Sequence, residues 1–288
     1  MYNDTSIQHY VGPMLGDPGQ QRASTHKAVW TAEEQKLLIQ QTEQTHRRRS
    51  MLRPAGNEDL IGIVQQAKSR NRRVVLVSLG TVVTSDRAAF GWQGHGLYDS
   101  ITGKELVQSV IGGVIDALGL FSNSIEDSVK ADESTSPLLI CATGQQPDAL
   151  DDIILPPNSI CRASVPQVDI LRHMNSHDLF VHHGGQNSTM EGGYSGIPVV
   201  VCPTFSDQPV NAAKLVALKV GLKVDRPTKS GPDAVDAYRQ EVAAAIKSIY
   251  EEEEKFSAAA QNLRDEIIRG GGEEAAEAVL LQAIKEGV

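Results

Sequence analysis

Between Phe180 and Ala213 the chain reads FVHHGGQNSTMEGGYSGIPVVVCPTFSDQPVNAA, and this stretch restricts the fold more than any other. A short apolar run stops at a glycine pair, a small-residue helical segment follows, and a second apolar run stops at Pro203-Thr204. Strands that are apolar along their whole length are covered on both faces, which places them inside a parallel sheet. Two such strands with a helix between them are the repeating unit of that sheet.

The same signal recurs along the chain. Arg73–Leu79 (RVVLVSL) is a continuous β-branched run that halts at Gly80-Thr81, and further strands are expected at 137–142, 160–165, 179–182, 198–202 and 221–224. Helical patterns lie between and around them: 58–70, 104–119, 167–173, 186–194, 210–219, 233–250, 251–269 and, after the Gly270–Gly272 break, 273–286. The alternation predicts an α/β fold, a Rossmann-like parallel sheet with helices on both faces. Residues 1–25 read as an interdomain linker or lead-in, and 26–288 as one domain with insertions at about 31–56 and 82–103.

Composition narrows the function. A net charge of −9 and 5% aromatic residues argue against a nucleic-acid backbone as the main ligand, and the basic runs at 46–49 and 68–73 read as solvated faces. No run of eighteen apolar residues encodes a transmembrane segment, and the first thirty residues lack the apolar core of a signal peptide. Cys141, Cys161 and Cys202 sit in or beside apolar runs without paired spacing, so buried thiols in a reducing, cytoplasmic compartment are expected. The sequons at Asn3 and Asn187 are read as chance matches.

Ligands of such a sheet bind outside the carboxyl ends of its strands. Three strand ends carry suggestive residues: Gly80-Thr81, His182–Gly185 and Thr204–Gln208. A helix opening near Gln186–Thr189 offers unpaired N–H groups and a positive dipole end to a diphosphate, with His183 in the preceding turn and Asn187 and Ser188 as further donors. Either of the last two residues is equally suited to cap the helix. Glu191, one turn on, suits ribose hydroxyls, and Asp207-Gln208 pairs an acceptor with a mixed donor–acceptor, as vicinal sugar hydroxyls require. A competing reading sets His173 and His177 four residues apart beside His182-His183, a zinc-like spacing if the segment were one helix. Met174 stands where a metalloprotease-type motif needs glutamate, and the segment is expected to leave helix before His182.

Taken together, His183-Gly184-Gly185-Gln186-Asn187-Ser188-Thr189-Met190-Glu191, Gly196-Ile197-Pro198 and Asp207-Gln208-Pro209-Val210-Asn211-Ala212 resemble the HxGxNSxxE, GxP and DQxxNA run of family 1 UDP-glycosyltransferases. Upstream, Val165–Leu171 is similar to that family's VPQxxIL segment, Val77–Thr81 to its first strand and phosphate-side loop, and Tyr10–Pro13 to the VGP that closes its interdomain linker. The resemblance covers about two thirds of the chain and implies the C-terminal half of a GT-B fold. It implies that His183, Gly185, Asn187 and Ser188 hold the diphosphate with Thr81 beside it. Gln167 would then meet uracil, Glu191 the ribose, and Asp207 with Gln208 the sugar. Plant members carry tryptophan where this chain has Ser164 and Gln186, which leaves uracil stacking and strict UDP preference open.

The implied activity is transfer of a hexose from a UDP-sugar to a hydroxyl of a small-molecule or lipid acceptor. No Asp-x-Asp motif is present, and the family handles leaving-group charge without an essential divalent ion, so no metal or cofactor is expected. The family's general base lies in its amino-terminal half, and neither His9 nor His26 has that context. The acceptor half is therefore expected outside this chain, either because the sequence is a truncated part of a longer protein or because the chain joins a separate acceptor-domain partner, as in the two-subunit dolichol-pathway N-acetylglucosaminyltransferase. A non-catalytic nucleotide-sugar module is the alternative, and UDP-sugar epimerisation a more distant one.

Overall fold

A computed structural model describes residues 57–84, 100–119, 136–272 (except 145, 147 and 152) and, beyond them, 275, 277–279, 281 and 282. Along the chain run α1 (Asn57–Ser69), β1 (Val74–Ser78), α2 (Gly103–Ala117), β2 (Leu138–Ala142), β3 (Ser159–Arg162), α3 (Gln167–His173) and β4 (Leu179–His182). They are followed by α4 (Gln186–Ser195), β5 (Val199–Val201), α5 (Gln208–Ala217), β6 (Gly221–Lys223), α6 (Pro232–Glu251) and α7 (Glu253–Arg269). The lead-in over 1–25 and the insertion over 31–56 lie outside the described residues, as does most of the 82–103 segment.

The six strands form one sheet in the order β3-β2-β1-β4-β5-β6, every neighbouring pair parallel. All five residues of β1 are buried, as a central strand requires. Their alternation divides the core in two. Val75 and Val77 join Leu139, Cys141, Val181 and Val200 beneath α2 and α6. Val74 and Leu76 join Ile140, Phe180, Val199 and Val201 beneath α1, α3, α5 and α7. Burying side chains on both faces at roughly 25 cal/mol per Å² is what the uninterrupted β-branched runs supply.

Helix ends are set locally. Thr102 and Glu105 form a reciprocal capping box at the start of α2. The loops entering β1, β5 and β6 share one device, a left-handed residue just after the helix: Asn71 (φ 56°), Gly196 (66°) and Lys219 (59°).

Two expectations need correction. The strand read at 160–165 ends at Arg162, because Val165-Pro166 turns into α3. The helix read from Val210 begins at Gln208 with Asp207 as its N-cap, so the acid–amide pair sits at a helix opening rather than free in a loop.

The order 3-2-1-4-5-6 reverses direction between β1 and β4. Crossovers leave that point toward opposite edges, which opens a crevice above the carboxyl ends of these two strands.

Candidate functional site

Ser78 and His182 are register partners at the ends of β1 and β4, so the turns that follow them face each other across the crevice. From β1 the chain continues into Gly80 (φ 79°) and an exposed Thr81. From β4 it continues into His183, Gly184 and Gly185, and then into α4. The His183 imidazole is seated between the two glycine backbones. A β-carbon on Gly80 would lie 3.0 Å from its Cε1, and one on Gly185 2.5 Å from its Nε2. Nδ1 of this ring is buried and has no partner with hydrogen-bond geometry among the described residues. Burial lowers the His183 pKa, while the nearby Ser78 carbonyl and Asp207 carboxylate pull it upward. Burial thus favours the neutral imidazole, and an adjacent anion would favour its protonated form.

Gly185 is the N-cap of α4, and no side chain caps this helix. The capping alternative for Asn187 and Ser188 is thereby set aside. Thr189 makes the first intrahelical bond, to the Gly185 carbonyl, so the N–H groups of Gln186, Asn187 and Ser188 point out of the helix mouth. Asn187 is exposed and Ser188 buried.

Gln167, at the start of α3, crosses to α4 and donates from Nε2 to Ser188 Oγ (3.1 Å) and Glu191 Oε2 (2.7 Å). Its amide hydrogens are thereby committed to α4. Ser188, accepting from Gln167, keeps its own hydroxyl proton for donation. Glu191 is 5% exposed, held by the same amide.

On the third strand end, Ser206 takes a left-handed conformation (φ 59°) and turns Asp207 outward. Gln208 is buried, and its Oε1 accepts from Thr204 N (2.9 Å), Thr204 Oγ1 (2.6 Å) and Phe205 N (3.3 Å). Three donors on one oxygen fix the amide's orientation and leave Nε2 as its available donor. The pair thus presents a carboxylate acceptor and an amide donor side by side.

Two residues that hold this site together were given no role in it from sequence. His182 is fully buried, stacks on Phe180 at 4.7 Å and accepts the Gly184 N–H on Nδ1 (3.0 Å). Burial, then the neighbouring His183, depress its pKa to about 3, so it is a neutral acceptor. Asn211 accompanies Asp207 in the DQxxN spacing, one helical turn apart, which was the available signal for a contact between them. The zinc-like spacing does not produce a helical pair. His173 ends α3 beside Gln65 Nε2 (3.3 Å), while His177 lies outside that helix with Nδ1 on Glu253 (2.7 Å).

Thr81, His183 and Gly185 thus follow the adjoining ends of β1 and β4, Asn187 and Ser188 lie in the first turn of α4, Asp207 and Gln208 open α5, and Gln167 on α3 meets Ser188 and Glu191 on α4. Residues 124–253 match the family described as UDP-glucoronosyl and UDP-glucosyl transferase. The chain is 30% identical over 160 residues to the NDP-glycosyltransferase YjiC of Bacillus subtilis, across 55% of this chain and 37% of that protein. It is 32% identical over 166 residues to UDP-glucuronosyltransferase 3A2 of Mus musculus, across 55% of this chain and 29% of that one. The fold is similar to that of Os79 from O. sativa in complex with U2F and trichothecene, with a TM-score of 0.53 at 18% identity over 77% of this chain and 44% of that one. The chain spans between 29% and 37% of the length of these two curated relatives.

Proposed function

We propose that this chain, a family 1 UDP-glycosyltransferase-like protein, is the donor-binding half of a UDP-sugar-dependent hexosyltransferase. The observation that carries the proposal is the His183 imidazole, wedged between two glycines at the β1–β4 crevice beside an uncapped helix mouth. The N–H groups at the start of α4, with His183, Asn187, Ser188 and Thr81, receive the diphosphate. Gln167 and Glu191 shape the nucleoside side. Asp207 accepts from sugar hydroxyls while Gln208 Nε2 donates to them.

Transfer requires that negative charge developing on the departing diphosphate be met by donors already in place. The helix mouth and His183 meet it without an essential metal ion. Protonation of His183 accompanies diphosphate binding, because an adjacent anion counteracts the burial that favours the neutral ring. The acceptor hydroxyl must also lose a proton. That step, together with binding of a small-molecule or lipid acceptor, belongs to an acceptor-binding half outside the described residues. Three buried free cysteines support a reducing, cytoplasmic setting, and no described helix is long and apolar enough to cross a membrane.

Thermal unfolding tests the proposal without knowledge of the acceptor. Millimolar UDP or a UDP-sugar is expected to raise the Tm by mass action. His183→Ala and Asp207→Ala are expected to reduce that rise. No rise with any uridine nucleotide would refute the donor site, while an equal rise with other nucleoside diphosphates would restrict the proposal to the diphosphate and sugar.

A further inference from the structure

The turn that bears His183 and the loop that bears Asp207 come from different strand ends, and one side chain joins them. Asn211 is 5% exposed and lies one helical turn after Asp207 on α5. Its Nδ2 donates to the Gly184 carbonyl at 2.9 Å and to Asp207 Oδ2 at 2.8 Å. Both partners can only accept, so the orientation of this amide is unambiguous and both of its hydrogens are used. The backbone repeats the link, Asn211 N donating to Asp207 O at 3.0 Å.

Gly184 is held from its other side as well. Its N–H goes to His182 Nδ1, so the two peptide units that meet at this Cα are both tied, the first to β4 through its nitrogen and the second to α5 through its oxygen. At φ 82° a side chain is strained, and a β-carbon would lie 2.9 Å from Val201 Cγ1 and 3.0 Å from the Gln208 carbonyl oxygen. A bond to a rigid peptide passes its position on to whatever shares the donor. Here that is Asp207, whose carboxylate would otherwise swing on an exposed helix cap.

We infer that Asn211 is a positioning residue that sets the sugar-side carboxylate of Asp207 in register with the diphosphate-side turn at Gly184. The inference rests on the donor-site reading above. It adds that recognition of a nucleoside diphosphate sugar depends on a side chain that touches neither the phosphate nor the sugar. Hydrogen bonds to a charged group carry more energy than neutral ones, so loss of this one should be visible in affinity.

The test is calorimetric titration of the full 288-residue chain with UDP and with UDP-glucose, read as the ratio of the two affinities. Removing Asn211 also loosens the turn and weakens UDP itself, which is why the ratio is the informative quantity. Asp207→Ala is expected to shift the ratio against UDP-glucose about tenfold, or 1.4 kcal/mol. Asn211→Ala is expected to shift it by a similar factor, and the double variant to shift it no further, the non-additivity of a coupled pair. Asn211→Asp keeps the shape, lacks both donors and repels Asp207, so it should behave as Asn211→Ala does and serves in its place if the alanine variant is unfolded. An Asn211 variant that lowers Tm yet leaves the ratio within twofold of wild type would overturn the inference, as would effects of Asp207 and Asn211 that simply multiply. A wild-type chain that binds neither UDP nor UDP-glucose would instead remove the donor site, and this inference with it.

Discussion

The two ends of the sheet solve opposite problems. At the amino end, the buried carboxylate of Asp178 is fully met. Asp178 accepts from Lys68 Nζ with both oxygens at 2.7 Å, from Val74 N and from Asn175 N, each also at 2.7 Å. Glu253 accepts from Arg73 (2.5 Å) and His177 (2.7 Å), and the Arg73 guanidinium lies 4.7 Å from the centre of the Tyr250 ring. At the carboxyl end, polar groups are buried or aligned without hydrogen-bond partners among the described residues: His182 Nε2, His183 Nδ1 and the open N–H groups of α4. Satisfied polar groups hold a fold, whereas groups left unmet inside a folded protein cost free energy that a ligand can recover. The contrast leads us to expect stability to be held at one end of the strands and, on the proposed function, a ligand to be met at the other.

Breaking the amino end should cost stability and little else. Asp178→Ala strands the Lys68 ammonium and two backbone N–H groups, and a loss of about 3–5 kcal/mol in denaturant unfolding is expected. The UDP-induced rise in Tm should survive wherever the variant still folds. A selective loss of the UDP response, with stability intact, would contradict the division.

The carboxyl end should give the reverse. For His183→Ala a ten- to hundredfold loss of UDP affinity is expected, about 1.4–2.7 kcal/mol, measured by calorimetry. Unfolding stability should change by less than that, since the ring has no well-formed bond to lose.

Acidity probes the same end without mutation. His182 stays neutral in the folded chain down to about pH 3, whereas an unfolded histidine takes up its proton near pH 6.5. Between those values the unfolded state binds more protons, so stability rises with pH across the window and is lost as pH falls through it. His183, also depressed, adds a slope of the same sign. His182→Phe, which can still stack on Phe180, is expected to flatten the profile by up to about 1.4 kcal/mol per pH unit. An unchanged profile in urea titrations at stepped pH would show that burial of this imidazole is not what the fold resists.

The smallest effects sharpen the comparison most. Ser206 and Lys219 both have a φ of 59°, one beside Asp207 and the other at the amino-end loop before β6. Glycine at either position relieves the left-handed strain and is expected to add at most about 1 kcal/mol. Only Ser206→Gly should also alter discrimination between UDP and UDP-glucose, because it loosens the approach to Asp207.

Much of this was legible in the sequence, and the boundary has a physical cause. The helix at Gln167–His173 and the strand at Leu179–His182 fall where periodicity and β-branched runs place them, because burial on both faces leaves a local pattern. The cluster around His183 and Asp207 was legible because its motifs are contiguous. The amino-end network was not, since Lys68 and Asp178 are 110 residues apart and nothing local marks them as a pair. Strand order escaped for the same reason. The commitment of Gln167 to Ser188 and Glu191 depends on how α3 crosses α4, which the residue types alone do not show.

Backbone hydrogen exchange with and without UDP tests the central division most directly, because it reports both ends of the sheet in one experiment. Added protection is expected in peptides covering 80–84, 183–191 and 204–211, with those covering 173–178 and 250–257 unchanged. Protection confined to the amino end, or none at saturating UDP, would contradict the account.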